Sequence, residues 1–398
     1  VSTRPSTRAL QSAGYYSFVL LGWQTVILPS LIRSIEHGFH QSDAAFGVLY
    51  LVKSILYAVG AFAGGFLTER LGRRIVLSAA AVISALSLLL AALAPSWAPF
   101  VLGAALVSLG GAVIDAGVNG LFLDLFREAR GGALNFLHLF FSVGALIAPL
   151  PIGVLISAGV AWQAVMAAAA AASFIMATVL AALPMPSGRH HRDVETDSGG
   201  AIGESERRML PFFALAGAIG LYVAQELGVS NWVVRFLSDQ PLSVATATLS
   251  VFWLGLSVGR LASRWVAEMF DYTAFTVACV ILASITLALA VVVPWFPLSL
   301  AFFGLSGLFN GPTYPMIMAI GGQLYPHRLA RLSGGLTAGG SLGTLVYPPL
   351  MGLMAAQVGL RVGMLGAAAL GIPAAACLIL ARLSARAPQA PMMDADAA

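Results

Sequence analysis

Hydrophobic residues run along this chain in blocks of 20 or so, broken by short charged or Pro/Gly-containing stretches. The pattern shows neither the two-residue alternation of a half-buried strand nor the narrow stripe of a soluble helix. The blocks fall at 13–33, 44–68, 75–94, 99–124, 133–157 and 161–183, and after a polar stretch at 210–235, 243–266, 273–293, 297–323, 331–356 and 361–382. A helix needs about 20 apolar residues to cross the hydrocarbon of a bilayer. Only helices and closed barrels satisfy their backbone there, and barrel strands are about ten residues long with alternating character. The pattern therefore predicts an all-α membrane protein of twelve transmembrane helices. It divides into an N-terminal six-helix bundle (1–183), a cytoplasmic linker (184–208) and a C-terminal six-helix bundle (209–398). The first block follows Arg4 and Arg8 as a signal peptide would, but its length, Pro29 and want of a small-residue cleavage site predict a membrane helix.

Composition narrows the class further. The chain is 59% hydrophobic and 10% charged, against roughly 25% charged in an ordinary soluble domain, which excludes a water-soluble globule. A net charge of +4 would point to nucleic acid in a soluble protein, but here the basic residues stand at the ends of spans. With both termini in the cytoplasm, seventeen of the 21 Lys and Arg lie inside, Arg33, Arg235 and Arg361 lie outside, and Lys53 falls within a span. That bias sets the orientation expected in a bacterial inner membrane, and nucleic acid is set aside. Cys279 and Cys377 both sit in apolar blocks, so neither a disulfide framework nor a cysteine metal site is expected. His190 and His191 read as part of a solvated tether. No cofactor or metal is predicted.

The two halves repeat. A shift of 199 residues brings Ala58-Val59-Gly60 onto Ser257-Val258-Gly259, Glu69 onto Glu268, and Gly144, Pro149 and Gly153 onto Gly343, Pro348 and Gly352. Parallel six-helix repeats suit alternating access, in which one bundle rocks against the other. After the second span stands Gly65-Phe66-Leu67-Thr68-Glu69-Arg70-Leu71-Gly72-Arg73-Arg74, with a degenerate copy in Gly259-Arg260-Leu261-Ala262-Ser263-Arg264. The first resembles the loop signature of the major facilitator superfamily, with Glu69 for the usual Asp. A carboxylate and arginines beside a helix end can bind the opposite bundle in one state and release it in another. Lys53, Glu69, Arg70, Arg73, Arg74 and Arg260 are accordingly read as gating residues, the plainer reading being positive-inside anchors.

Gly110 to Asn119 in the fourth span, Leu134 to His138 and Ser142 to Ala145 in the fifth, Glu226 to Trp232 in the seventh, Trp253 to Arg260 in the eighth and Gly311 to Pro315 in the tenth carry a narrower likeness. Together they resemble the fucose, galactose and glucose proton symporter family. In that family's pattern the fourth span carries an acid followed four residues later by Asn, which Asp115 and Asn119 match, so the resemblance implies proton coupling at Asp115. The family's acid on the first span is Thr25 here, beside Gln24, and its Gln and Asn on the fifth are His138 and Phe141.

A charge at membrane depth is costly and faces a cavity or a partner. Asp115, with Asn119 one turn on, is a candidate to take and release a proton as water access alternates, or else a structural hydrogen-bond node. Glu226 is the second candidate proton carrier, or an outer-gate residue paired to Lys53. For Lys53 an ion pair with Glu226 or Asp115 is expected. His138 could shuttle protons or donate to a hydroxyl; the plainer reading is a packing histidine. Solute recognition needs neutral donors, acceptors and aromatic faces, for which Trp23, Gln24, Asn119, His138, Tyr222, Gln225, Asn310 and Tyr314 are candidates. Trp232, near the outer end, reads as a headgroup anchor.

These readings point to a proton-coupled importer of a neutral sugar, hexose or related polyol, working as a monomer in the bilayer. The alternative is a proton-driven exporter of drugs or lipophilic metabolites. No GxxxxGK[ST] loop supports ATP-driven pumping, and the helix interiors offer one Lys and no mid-depth Arg, thin provision for an organic anion. An intramembrane enzyme lacks a convincing nucleophile, base and acid: Ser142 follows His138 by four residues with no orienting carboxylate in view.

Overall fold

The computed structural model describes residues 7–126, 130–185, 209–325 and 329–386. Most of the expected linker (184–208) and the side chain of Glu69 lie outside the described residues. The rest is helical: α1 (Thr7–Phe39), α2 (Asp43–Leu71), α3 (Arg73–Ala92), α4 (Trp97–Leu125), α5 (Arg130–Ile147), α6 (Pro149–Ser157) and α7 (Trp162–Ala182), then α8 (Met209–Phe236), α9 (Leu242–Val266), α10 (Tyr272–Val292), α11 (Phe296–Asn310), α12 (Thr313–Leu324), α13 (Leu329–Val358), α14 (Leu360–Ala369) and α15 (Gly371–Arg386). Among the described residues ten helical stretches are long and apolar enough to cross a bilayer unaided; the α11–α12 pair and α13 complete the twelve.

Three of the expected continuous spans are instead pairs of helices: α5–α6, α11–α12 and α14–α15. The physical cause of the first two lies in Pro149 and in Gly311-Pro312, since a proline lacks the N–H for the helical ladder and crowds the preceding turn. Pro348 and Pro349, by contrast, lie inside an unbroken α13. Tight turns are chemically marked. Ser42 accepts a hydrogen bond from the Ala45 N–H to start α2, Asp271 does the same from Ala274 for α10, and Gly72 turns α2 into α3 at φ +84, where a side chain would be strained.

Within the first bundle α2 and α3 pack on α4, α3 on α7 and α1 on α5; within the second α8 packs on α13 and α15, and α11 on α9 and α10. The 199-residue repeat is visible in the packing. A Cβ on Gly60 would strike the Leu109 carbonyl, and one on Gly259 the Leu308 carbonyl, each pair offset by that shift. Small residues let these backbones approach directly, as helix packing in lipid favours.

The bundles meet through α2 with α13, α9 with α5 and α6, and α1 with α8. The two ends of this seam differ. At the end away from the chain termini, one core runs through both bundles and includes Ile32, Phe46, Leu49 and Tyr50 with Val229, Trp232, Phe252 and Met351. At the terminus end there are two cores: one around Phe18, Leu77, Ile114 and Phe122, the other around Leu215, Ile219, Ile317 and Leu336. The molecule is thus closed at one end and parted at the other.

Candidate functional site

At the closed end the seam is fastened by polar contacts as well as packing. Arg235 of α8 lies 2.9 Å from Glu36 and 2.9 Å from Asp43 of the first bundle, and Arg33 donates to the Gln240 carbonyl at 2.9 Å. Tyr50 donates to the Asn231 carbonyl at 3.1 Å, and Ser54 to the Thr344 carbonyl at 3.1 Å. Trp232 is fully buried here, donating to the Pro348 carbonyl and meeting the Tyr50 ring edge-on at 5.6 Å. It is a core residue of the closed end and not a headgroup anchor.

Below this closure, side chains of both bundles face one another near mid-membrane. Asp115 of α4 accepts from Asn119 at 2.9 Å and from Tyr57 of α2 at 2.7 Å. The i,i+4 spacing of Asp115 and Asn119 sets the first bond; the second joins residues 58 apart in sequence. Tyr57 is 38% exposed, so the pair borders open space. In the second bundle Tyr222 donates to Glu226 one helical turn away, and Arg260 of α9 approaches the same carboxylate at 3.8 Å. Arg260 also donates to Ser142 of α5 at 3.1 Å, linking the bundles at this level. His138 lies within electrostatic range of both Asp115 and Arg260, and Tyr314 within range of Asp115, Arg260 and Glu226. The Tyr314 hydroxyl stands 3.4 Å from Thr337. One cleft thus gathers Asp115, Asn119, His138, Tyr222, Glu226 and Tyr314 of the predicted residues, and adds Tyr57, Ser142 and Thr337.

Other expectations are corrected. Lys53 pairs with neither carboxylate: its ammonium lies 5.8 Å from the Tyr50 ring, while Glu226 has Arg260 and Asp115 has neutral donors. Arg260, expected as a gate at the membrane edge, reaches inward into the cleft, which removes the premise that no arginine stands at mid-depth. Gln24 and Gln225 are buried braces, donating to Ser173 and Ser284 within their own bundles. Asn310 is 0% exposed at the end of α11, inside the second bundle. Trp23 is half-buried against the core shared by both bundles.

At the parted end the arginines contact their own bundle. Arg73 is buried and lies 2.7 Å from Asp124; Arg74 donates to the Ala181 carbonyl at 2.6 Å; Arg70 stacks on Phe66 at 4.1 Å. Among the described residues none of these contacts crosses to the second bundle.

The arrangement is a pair of hydrogen-bonded carboxylates, one per bundle, on either side of a polar cleft that is sealed at one end. Comparison with known proteins agrees with it. The chain is 25% identical to the MFS-type transporter YfkL of Bacillus subtilis over 92% of this chain and 95% of that protein. Its fold is similar to a bacterial homologue of the human lysosomal transporter Spinster, solved inward-facing and occupied, with TM-score 0.79 at 16% identity over 98% of this chain and 100% of that one. It is also similar to a D-xylose-proton symporter, with TM-score 0.76 at 15% identity over 93% and 97% of the two chains. Residues 14–267 and 208–395 match the Major Facilitator Superfamily, so the chain belongs to that superfamily, whose members are membrane transporters and not enzymes.

Proposed function

We propose that this protein imports a small hydroxylated solute of the sugar class together with a proton, by alternating access. The observation that carries the reading is the pairing across one cleft of Asp115, held by Tyr57 and Asn119, with Glu226, held by Tyr222 and Arg260. A carboxyl at membrane depth is uncharged or charged according to whether water and a counter-charge reach it, so exposing the cleft to alternate sides lets it load and release a proton. Around it the hydroxyls of Tyr57, Tyr314, Thr337 and Ser142 and the amide of Asn119 supply donors and acceptors suited to solute hydroxyls. The resemblance to the fucose, galactose and glucose symporters supports the solute class and the coupling role of Asp115. An exporter of lipophilic compounds would want an apolar cavity, which this lining does not offer.

The positive-inside bias puts the termini in the cytoplasm of a bacterial inner membrane. The sealed end then faces outward, and the cleft opens inward. Arg70 and Arg74, bound to their own bundle, act as the disengaged half of an inner gate, while Arg73, buried against Asp124, braces the first bundle. The test uses purified full-length protein in liposomes with an inward proton gradient and a set of labelled hexoses and polyols. Asp115→Asn is expected to abolish accumulation while counterflow exchange persists; accumulation as strong as in the parent protein overturns the assignment.

A further inference from the structure

Four charges stand at membrane depth among the described residues: Lys53 and Arg260 against Asp115 and Glu226. They sum to zero, but they are not equally spent. Asp115 has both oxygens engaged by neutral donors. Arg260 is only partly engaged: one nitrogen donates to Ser142 at 3.1 Å, the guanidinium also lies within hydrogen-bonding reach of the Tyr222 hydroxyl, another nitrogen lies 3.8 Å from Glu226, beyond hydrogen-bond distance, and the side chain is 24% exposed. A guanidinium carries five donors in a planar fork that matches a carboxylate with two parallel bonds. Glu226 does not use that fork. Its bond comes from Tyr222, and it is only 9% exposed. The cation that faces the cleft therefore has donors to spare, and its resident counter-ion sits behind it.

Resting on the reading that this cleft is the solute site of a proton-coupled importer, we infer that the solute carries one carboxylate, which takes the Arg260 fork in place of Glu226, while the single accompanying proton, taken up at Asp115 and passed across the cleft, rests on Glu226 in the loaded state. The solute class is then a hydroxylated monocarboxylate such as a sugar acid, and not a neutral sugar. Charge balance supports this. An anion added to four membrane-depth charges that sum to zero leaves them at minus one, which is costly in a bilayer; a proton on Glu226 restores zero, and the loaded carrier reorients without moving net charge. The groups facing Glu226 permit the exchange. Tyr222 can donate to either form of the carboxyl, Arg260 moves its charge to the solute, Tyr314 and Tyr57 are neutral, and Asp115 and His138 lie across the cleft. A phosphate dianion would need a second cation, and Lys53 is turned toward Tyr50.

The test compares acids with their neutral counterparts on the full-length protein in liposomes: glycerate, threonate, gluconate and glucuronate against glycerol, threitol, sorbitol and glucose. At least one labelled acid is expected to exchange by counterflow tenfold or more faster than its neutral partner. An inward proton gradient should drive it to accumulate at a rate unchanged when valinomycin clamps the potential. Arg260→Lys, which keeps the charge and loses the fork, should cut this exchange at least tenfold. Binding of the acid should weaken as pH rises in the parent protein, because deprotonated Glu226 competes for Arg260; Glu226→Gln should bind at least as tightly and lose that pH dependence. If a neutral member exchanges, the acids do not and Arg260→Lys leaves exchange intact, the carboxylate inference is overturned while the transport reading stands. If no member of either set exchanges or raises the melting temperature, both fall.

Discussion

The closed and parted ends of this molecule are built from the same twelve spans, yet they hold themselves together by different means. At the closed end one hydrophobic core passes through both bundles, and Arg235, Arg33 and Tyr50 tie α8 and its neighbours to α1 and α2. At the parted end each bundle has its own core, and the arginines there contact residues of their own bundle. The first end is a contact that must be broken for transport; the second is a surface that must find a partner. Packed interfaces of this kind are bistable and do not deform continuously, so the free energy that favours one end over the other resides in a few contacts that can be removed singly.

The largest effect is expected where the backbones touch. A Cβ on Gly352 would lie 2.6 Å from Gly47 Cα, and one on Gly47 would lie 2.6 Å from the Pro349 carbonyl oxygen, so α2 and α13 meet with no room for a side chain. Overpacking costs about 1–3 kcal/mol, and here it falls only on the closed state. Gly352→Leu should therefore shift the balance toward the opposite conformation by roughly 5- to 150-fold. A cysteine at Leu49, buried in the shared core, reports it in a background free of Cys279 and Cys377. Its reaction with an impermeant maleimide should accelerate to match. An unchanged rate would mean that the contact does not decide the conformation.

Much of this could be read from the chain and some could not. The spans follow from block length, and the repeat that aligns Gly60 with Gly259 reappears as matching contacts on Leu109 and Leu308. Bonds one helical turn apart, Asn119 to Asp115 and Tyr222 to Glu226, are also legible, since the helix itself brings them together. The misreadings share a cause. Arg260 lies near the end of α9 when counted by backbone, but its long side chain runs inward to Ser142, 118 residues away in sequence, and to Glu226. Position along a span does not reveal the direction of a side chain, nor does it bring Tyr57 to Asp115. Gln24 and Gln225 were candidates for the cleft because they are polar in apolar spans. The same residue type serves as a brace when a serine on a neighbouring helix of its bundle accepts the bond. The breaks at Pro149 and Pro312 were marked by their prolines, yet hydropathy runs straight through them.

A smaller shift is expected from the ion pairs of the closed end. Arg235, with Glu36 and Asp43, is a quarter exposed, so screening reduces the cluster to about 1–2 kcal/mol. Arg235→Gln should raise the Leu49 cysteine reaction about 5- to 30-fold at low salt, and less in 1 M salt, where the parent cluster is already weakened. Smaller again is Tyr50→Phe, which deletes the bond to the Asn231 carbonyl and keeps the ring against Trp232. Losing one net hydrogen bond is worth about 0.5–1.5 kcal/mol, a shift at the low end of the Arg235 range.

The least effect on conformation is expected from a change that destabilises the parted end. Arg73 is buried and pairs with Asp124 across α3 and α4, both in the first bundle. Breaking a pair inside one bundle weakens that bundle in every conformation alike, and a term common to both states cannot shift the balance between them. Asp124→Asn should therefore lower the melting temperature by a few degrees and leave the Leu49 cysteine rate within twofold of the parent. Should the rate change as much as with Arg235→Gln, Asp124 would have to meet the second bundle in the other conformation, and the parted end would then hold a latch of its own.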